Sequence, residues 1–295
     1  MEFITHLING LISGLSSGAT YAIIALGYTM VYGIAKMLNF AHGDVIMVGC
    51  YAMHVTLLLT GHPIPAILIA ILCCTILGIS IEKFAYKPLR GASPLSVLIT
   101  AIGVSYLLQS LAQIIFGEGQ KMPQKLLISE KLQIGAISIN YNTILTLIVS
   151  VVIMVILTLF VKYTKVGRAM NAVSEDRDAA RLMGINTNAI ITITFAIGSA
   201  LAAVAGYLML CKAPSVTVTL GAMPGIKAFT AAVIGGIGSI PGAMLGGILL
   251  GIVEGIAASF PAITPFTTAI EFSILIVVLL VKPSGILGKL RREKV

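Results

Sequence analysis

The chain has 295 residues, of which 58% are hydrophobic and only 10% are charged, and its mean hydropathy is +1.04. Soluble domains carry about 45–50% apolar and about 25% charged residues, so the composition excludes a soluble globular protein. It also excludes a disordered chain, because disorder requires low hydrophobicity. The formal net charge of +8 fits basic loops beside a membrane better than a nucleic-acid surface. Cysteines lie in or beside apolar stretches without a CxxC spacing, which indicates inert thiols rather than metal ligands.

Nine continuous apolar segments follow one another along the chain. They cover residues 10–34, 44–60, 63–81, 93–116, 142–161, 189–211, 226–239, 242–260 and 264–281. Most are near the ~20 residues that a membrane-spanning helix needs, and none shows the ~10-residue alternation of a membrane β-barrel. The predicted fold class is therefore all-α, a polytopic helical membrane protein with eight or nine transmembrane segments. Because 226–239 is too short to cross alone, we expect broken or re-entrant helices within a single domain over 1–295.

Basic residues cluster at 83–90, 162–181 and 282–294. The positive-inside rule places these three regions, including the C-terminus, on the cytoplasmic side. Two topologies satisfy this assignment. If 44–60 crosses fully, the N-terminus is outside and there are nine crossings. If 37–60 is re-entrant, the N-terminus is inside and there are eight.

A polar island at 162–188 separates two strongly apolar segments. Ser174 precedes a group of acids, and Gly184 follows a helix-favouring stretch, so the pattern predicts a capped helix over 174–184. Leu182 and Met183 belong to its apolar face. A solvated linker is the alternative, but it would not need a cap and a terminating glycine in that order. A docking function is therefore favoured for this loop.

Glycine and proline interrupt the helical pattern in IGGIGSIPGAMLGG at 234–247. The interrupting residues are Gly235, Gly236, Gly238, Pro241 and Gly242. Broken backbone in a bilayer must be buried in protein or line a water-filled cavity, so these residues are candidates for a translocation pathway or gate. The equally supported alternative is close helix packing through small residues, since the pattern continues at Gly251 and Gly255.

Polar and ionisable side chains within the apolar segments form a third group of candidates. Asn39, His42 and Asp44 cluster where the second segment begins, and their pattern favours a satisfied hydrogen-bonded corner near an inner gate over a proton relay. Glu254 and Glu271 lie in segments without Lys or Arg, so a cationic partner must come from another helix. Each is a structural or gating candidate, with contact to a substrate ammonium as the alternative.

Four blocks of the sequence resemble one known family. They are LGYTMVYGIAKMLNFAHGDVIMVG at 26–49, GRAMNAVSEDRDAARLMGINTN at 167–188, KAFTAAVIGGIGSIPGAMLGG at 227–247 and KPSGILG at 282–288. Together they are similar to the permeases of branched-chain amino acid ABC transporters, and the resemblance spans essentially the whole chain. Asn171 departs from the pattern, since related loops often carry Arg there.

The resemblance implies a multi-pass importer subunit of the bacterial inner membrane. Its expected partners are two cytoplasmic ABC ATPases, a second related permease or another copy of itself, and an extracytoplasmic amino-acid-binding protein. The resemblance makes 162–188 the cytoplasmic coupling loop. Its expected ATPase-coupling residues are Glu175, Asp176, Arg177, Ala180, Arg181, Leu182, Met183 and Gly184.

The same resemblance implies no catalytic or metal-binding residue in this chain. ATP and Mg²⁺ would be bound by the partner ATPases. The sequence agrees independently, because a P-loop ends in Lys followed by Ser or Thr, and no lysine here has that neighbour.

Two other functional classes compete with this interpretation. A proton- or sodium-coupled secondary transporter could use His42, Asp44, Glu254 or Glu271, but it leaves the predicted 174–184 helix unexplained. A membrane-embedded enzyme is weaker still, because the sequence contains neither HExxH nor GxSxG.

Overall fold

The structure is a computed structural model that describes residues 2–123, 131–134 and 137–288. Its α-helices are α1 Glu2–Ala35, α2 His42–Thr60, α3 Pro63–Ile81, α4 Pro94–Phe116, α5 Tyr141–Tyr163, α6 Lys165–Glu175, α7 Arg177–Leu182, α8 Thr187–Lys212, α9 Ala222–Gly235, α10 Ile240–Ala258 and α11 Thr267–Val281. A π-helical turn at Glu82–Tyr86 and a 3-10 turn at Lys87–Leu89 extend α3, and another 3-10 turn, Thr264–Phe266, precedes α11. Two short strands, β1 Lys131–Ile134 and β2 Ile137–Asn140, pair as an antiparallel hairpin between α4 and α5.

Within the described residues, eight helices are long and apolar enough to cross a membrane: α1, α2, α3 with its extension, α4, α5, α8, α10 and α11 with its preceding turn. This confirms the polytopic helical fold. The remaining apolar helix, α9, has 14 residues. At 1.5 Å per residue it spans about 21 Å, less than the ~30 Å hydrocarbon core. The break that the sequence predicts therefore separates this short helix from α10.

The ends of several helices meet on one face of the bundle, which we call the basic face. Arg177 at the start of α7 reaches the carbonyl of Ala35, where α1 ends. Arg90, beyond α3, reaches Asn188 at the start of α8. The backbone N–H of Ile286 donates to Ile234 near the end of α9, at 2.8 Å. The basic regions around 83–90 and 162–181 thus share one side of the molecule.

The N-terminal half of α1 lies toward the opposite face. It packs beside the end of α10, where Ser259 Oγ donates to the carbonyl of His6 at 3.4 Å. The helix α2 begins in the half of the bundle that contains the basic face and runs away from that face for 19 residues. The next helix, α3, returns to the basic face. In the structure α2 is a full helix rather than a re-entrant loop, as in the first topology. Only eight of the described helices are long enough to cross, however, because α9 is too short to be a ninth.

Glycines allow α1 and α10 to pack backbone against backbone. Gly10, Gly14 and Gly18 face Gly247, Gly251 and Gly255 along the contact. A Cβ atom added at Gly14 would lie 2.7 Å from Gly255 Cα, which is too close for any larger residue. Small residues are the usual means of close helix contact in membranes, where lipid supplies no hydrophobic driving force between helices. These two helices form the centre of the core, together with α2 and α8.

The linker between α1 and α2 folds back into the bundle. It leaves α1 at Lys36, whose φ of 53° is the left-handed conformation that often ends a helix. The imidazole of His42 then lies against Gly27, so α2 begins beside the interior of α1. Since Gly27 is eight residues before Ala35, this depth is about 12 Å. Segment 36–41 therefore connects the basic face to the buried start of α2.

The glycine-rich break between α9 and α10 serves close packing. Gly235 contacts the backbone of Gly242, while Gly236 and Gly238 have φ values of 107° and 95° that favour glycine. The segment after α11 also packs against this break, because Leu287 N–H donates to the Gly235 carbonyl at 2.9 Å. Pro241 lies in the first turn of α10, where its missing N–H costs nothing. At these glycines the structure supports the packing interpretation.

Candidate functional site

The polar island is built from two helices, not from the single helix that the sequence predicts. The first, α6, has a cap of its own, because Thr164 Oγ1 accepts from Gly167 N–H at 2.9 Å. It runs through Ser174 to Glu175, so the prediction of Ser174 as an N-cap is wrong. Asp176 is the cap of α7, and its Oδ1 accepts from the N–H groups of Asp178 and Ala179 at 2.9 and 3.0 Å. Aspartate caps as well as serine, so the choice between them depended on where α6 ends.

The second helix ends as predicted, and it exposes apolar side chains next to charged ones. Gly184 has a φ of 82°, which is the usual conformation of a glycine that terminates a helix. Leu182 and Met183 are 90% and 83% exposed. The other exposed members of the predicted coupling set are Glu175, Asp176, Arg181 and Gly184. Two large apolar side chains this exposed, among charges at a helix end, form a surface suited to contact with another protein. We call residues 165–184 the surface segment.

Two members of the predicted coupling set face inward. Ala180 is buried. Arg177 Nη2 donates to the carbonyl of Ile34 at 3.3 Å and also to that of Ala35. These are the free carbonyls at the end of a long helix, where a cation is favoured by the helix dipole. Burial and the nearby Arg90 lower the pKa of Arg177, while Asp178 opposes them, and the guanidinium remains charged. The surface segment is thus anchored directly to α1.

His42 and Asp44 make different kinds of contact in the structure. Asp44 Oδ1 accepts from Gln109 Nε2 at 2.9 Å, and its Oδ2 accepts from Ser105 Oγ, both on α4. Among the described residues, His42 Nε2 has no hydrogen-bond partner. The imidazole instead packs edge-on against Tyr28, with ring centroids 4.8 Å apart. The hydrogen-bonded corner that the sequence favours over a proton relay describes Asp44 well.

Asn39 belongs to a polar and aromatic layer under the start of α2. Tyr86 OH, in the extension of α3, donates to Asn39 Oδ1 at 3.0 Å. Beside it, the rings of Phe40 and Phe229 lie 5.4 Å apart, and Phe229 also contacts Tyr28 at 5.9 Å. This layer joins α1, the 36–41 linker and α9. Tyr28, Asn39 and Phe229 also line a pocket between these three elements.

A charged cluster lies inside the helical bundle, where α9, α10 and α11 meet α1. Lys227 Nζ bonds Glu254 Oε2 at 2.9 Å and Glu271 Oε1 at 3.1 Å. Tyr21 OH donates to the same Glu254 oxygen at 2.8 Å. The prediction that any cationic partner of these glutamates comes from another helix is confirmed, since Lys227 lies on α9. Charges inside a membrane are expensive unless they are paired, and each pair here joins two helices.

Comparison with known proteins identifies the family. The family described as "branched-chain amino acid transport system / permease component" matches residues 10–280. The chain is 43% identical to the high-affinity branched-chain amino acid transport system permease protein BraD of Pseudomonas aeruginosa, over 100% of both chains. It is 41% identical to the LivH permeases of Escherichia coli and Salmonella typhimurium, over 100% of this chain and 99% of theirs. The chain belongs to this family.

Several side chains that connect the helices of the permease could not be predicted from the sequence. Lys227 lies just inside an apolar segment and gives no local sign that it pairs with two distant glutamates. Tyr21, Ser105 and Gln109 are ordinary residues of apolar helices, and only the fold brings them to a carboxylate. The one signal in the sequence is the presence of acids within apolar segments, because a charged acid inside a membrane needs a partner.

Proposed function

We propose that this permease is a membrane subunit of an ATP-driven importer for branched-chain amino acids. Two cytoplasmic ABC ATPases bind ATP and Mg²⁺, and an extracytoplasmic binding protein delivers leucine, isoleucine or valine. The observation that carries the proposal is the match of the whole chain to permeases named for high-affinity transport of these amino acids. A second permease, related or identical, completes the pathway. The basic face and the C-terminus then lie in the cytoplasm of a bacterial cell, as the positive-inside rule requires.

The surface segment is the proposed contact with the ATPase. Its exposed end offers Leu182 and Met183 as apolar anchors, with Arg181 and Glu175 as charged neighbours that set orientation. The α7 cap at Asp176 and the terminating Gly184 hold this end in one conformation. A preorganised apolar surface of this kind binds a groove at low cost in conformational entropy.

Arg177 connects the surface segment to the helices that would line the translocation pathway. It is therefore proposed as a positioning residue rather than as a contact to the ATPase. A movement of α7 is transmitted through its guanidinium to the end of α1, at Ile34 and Ala35. The linker that follows carries Phe40, whose ring packs on Phe229 of α9. ATP binding and hydrolysis can bias a two-state membrane element only through such a physical contact.

The proposal is tested first by isolating the permease with its partners. Affinity purification of the tagged chain from its native membrane in mild detergent should recover a P-loop ATPase and a second permease. Leu182→Asp should remove the ATPase while the permease stays in the membrane, because it places a charge at an apolar contact. Lys87→Asp changes an exposed residue of the basic face outside the surface segment and should leave recovery unchanged.

Other outcomes decide against the proposal or part of it. A chain recovered alone, with amino acid uptake that follows a proton gradient and ignores ATP, would establish the secondary-transporter alternative. An ATPase that is retained equally by the Leu182→Asp and Lys87→Asp variants would keep the importer but remove the docking role of the surface segment.

A further inference from the structure

Two lysines and two glutamates gather around one face of α1. Ser17 and Tyr21 are one helical turn apart, so their side chains share that face. Lys212 Nζ, at the end of α8, donates to Ser17 Oγ, and Glu254 accepts from Tyr21. Lys212 lies within electrostatic range of both Glu254 and Lys227. The cluster therefore brings together two formal positive and two formal negative charges.

The cluster is open on one side. The Glu254 side chain is 26% exposed and that of Lys227 is 13% exposed, while Glu271 is almost fully buried. Lys212 is exposed, and so are Met223 and Ile226 on the adjoining face of α9. Charged groups within a bilayer do not face lipid, so this opening faces either water or protein. In a permease, an opening beside a broken helix is where a pathway is expected.

The carboxylates have unused capacity to accept hydrogen bonds. Tyr21 and Lys227 both donate to the same oxygen of Glu254, and the Glu254 side chain is 26% exposed. Among the described residues, the buried Oε2 of Glu271 has no hydrogen-bond partner. Lys212, for its part, is bonded to a neutral hydroxyl rather than to an acid. An incoming ligand therefore meets an anion and a cation that can each form a further charge-assisted bond.

We propose that Glu254 and Lys212 form a transient binding station for a zwitterionic α-amino acid within the membrane. The α-ammonium binds Glu254 and the α-carboxylate binds Lys212. The aliphatic side chain lies against Met223 and Ile226. Because the four charges already sum to zero, a zwitterion leaves the site neutral, whereas an amine or a carboxylic acid alone adds a net charge in a region of low dielectric. The station rests on the proposed importer function and adds to it a recognition of the amino acid backbone by the permease itself.

Protection of an introduced cysteine tests this station. The assembled permease–ATPase complex carries Ile226→Cys in a Cys73→Ser background, because Cys73 is the exposed native cysteine in the described chain. A water-soluble thiol reagent is applied without the binding protein. L-leucine should slow the labelling. L-leucinamide, which lacks the carboxylate, and 4-methylpentanoate, which lacks the ammonium, should each be about tenfold or more weaker.

Substitutions then assign the two charges. Glu254→Gln and Lys212→Met should each weaken protection by L-leucine about tenfold. Glu118→Gln removes an acid beyond the end of α4 that accepts from Gln113 rather than from a residue of the cluster, and it should leave protection unchanged. Lys212→Met decides the question if Glu254→Gln does not assemble, because Lys212 lies outside the Lys227 ion pairs.

Three results would overturn the station: no labelling of the Ile226→Cys variant by the aqueous reagent, equal potency of leucine and both analogues, or full protection in both charge variants. ATP-driven leucine import by the same complex separates this failure from a failure of the proposed function. Import without protection removes only the station. Absence of import in the wild-type complex, despite ATP hydrolysis, removes the importer proposal.

Discussion

The surface segment and the interior cluster treat charge in opposite ways. In the surface segment, Glu175 and Arg181 project into solvent beside exposed apolar side chains. In the cluster, Lys227 holds two glutamates from different helices. Charges in solvent are individually nearly dispensable for stability, whereas a buried charge without its partner is strongly destabilising. The comparison suggests that the surface segment uses its charges for recognition, while the cluster uses them to hold three helices together and to leave one opening.

Loss of Lys227 should have the largest effect on stability. Lys227→Met leaves Glu254 and Glu271 without their cation and should destabilise the permease by about 3–5 kcal/mol. Thermal unfolding of the purified protein measures this change. A matched variant with Lys227→Met, Glu254→Gln and Glu271→Gln removes all three charges and should recover much of the stability. Unchanged unfolding of Lys227→Met would contradict the structural role of the cluster.

Arg177 is the member of the surface segment that behaves like an interior charge. Arg177→Ala loses the charge-assisted bonds to the end of α1 and should weaken that anchor by about 1.5–3 kcal/mol. The ATPase should still bind and hydrolyse ATP, while fewer amino acids are imported for each ATP. Reconstituted complexes measure this ratio. Arg181→Ala, an exposed arginine in the same helix, should keep the ratio, and equal uncoupling by both variants would reject the proposed route through α1.

The cap of α7 should make a smaller contribution. Asp176→Ala removes the acceptor of two backbone N–H groups and should cost about 1 kcal/mol in local stability. Asp176→Asn retains the cap without the charge and should remain close to wild type. Cleavage of the surface segment by limited proteolysis measures the difference. Rapid cleavage of both variants would show that the charge, not the cap, is what matters.

Arg181 should have the smallest effect on stability. Arg181→Ala should change the free energy of unfolding by less than about 0.5 kcal/mol, because its side chain is exposed. The affinity of the Arg181→Ala permease for the ATPase should fall by up to about fivefold, which is the contribution expected of an exposed ion pair at the rim of an interface. Titration of the ATPase into the purified permease measures this affinity. A strongly destabilised Arg181→Ala variant would erase the distinction between the two regions.

Patterns local in the sequence predicted the helical framework. Continuous apolar runs located the membrane helices, and the length of 226–239 predicted that one helix would be short. Gly184 ended α7 as expected because its role depends on the adjacent turn alone. The resemblance to permeases also rested on ordered local blocks, and the family match confirms it.

Contacts between distant residues could not be predicted in the same way. Glu254 lies in an apolar segment that contains no cation, and nothing near it in the sequence identifies Lys227 on α9 as its partner. Likewise, nothing near Asp44 in the sequence identifies Ser105 on α4 as a donor to it. The resemblance places Arg177 among the ATPase-coupling residues, but its side chain reaches the end of α1, because nothing local in the sequence defines which side of α7 packs on α1. Ser174 resembles a cap because acids follow it, but α6 continues through it to Glu175 and Asp176 caps the next helix.

ATP-dependent uptake in proteoliposomes tests the central claim most directly. The permease, its second permease and the ATPases are reconstituted with ATP inside, and the loaded binding protein is supplied outside. The account predicts accumulation of L-leucine that requires hydrolysable ATP, is lost in Leu182→Asp, and is unaffected when the proton gradient is collapsed. Accumulation that follows an imposed proton gradient, needs no ATP and survives Leu182→Asp would contradict it.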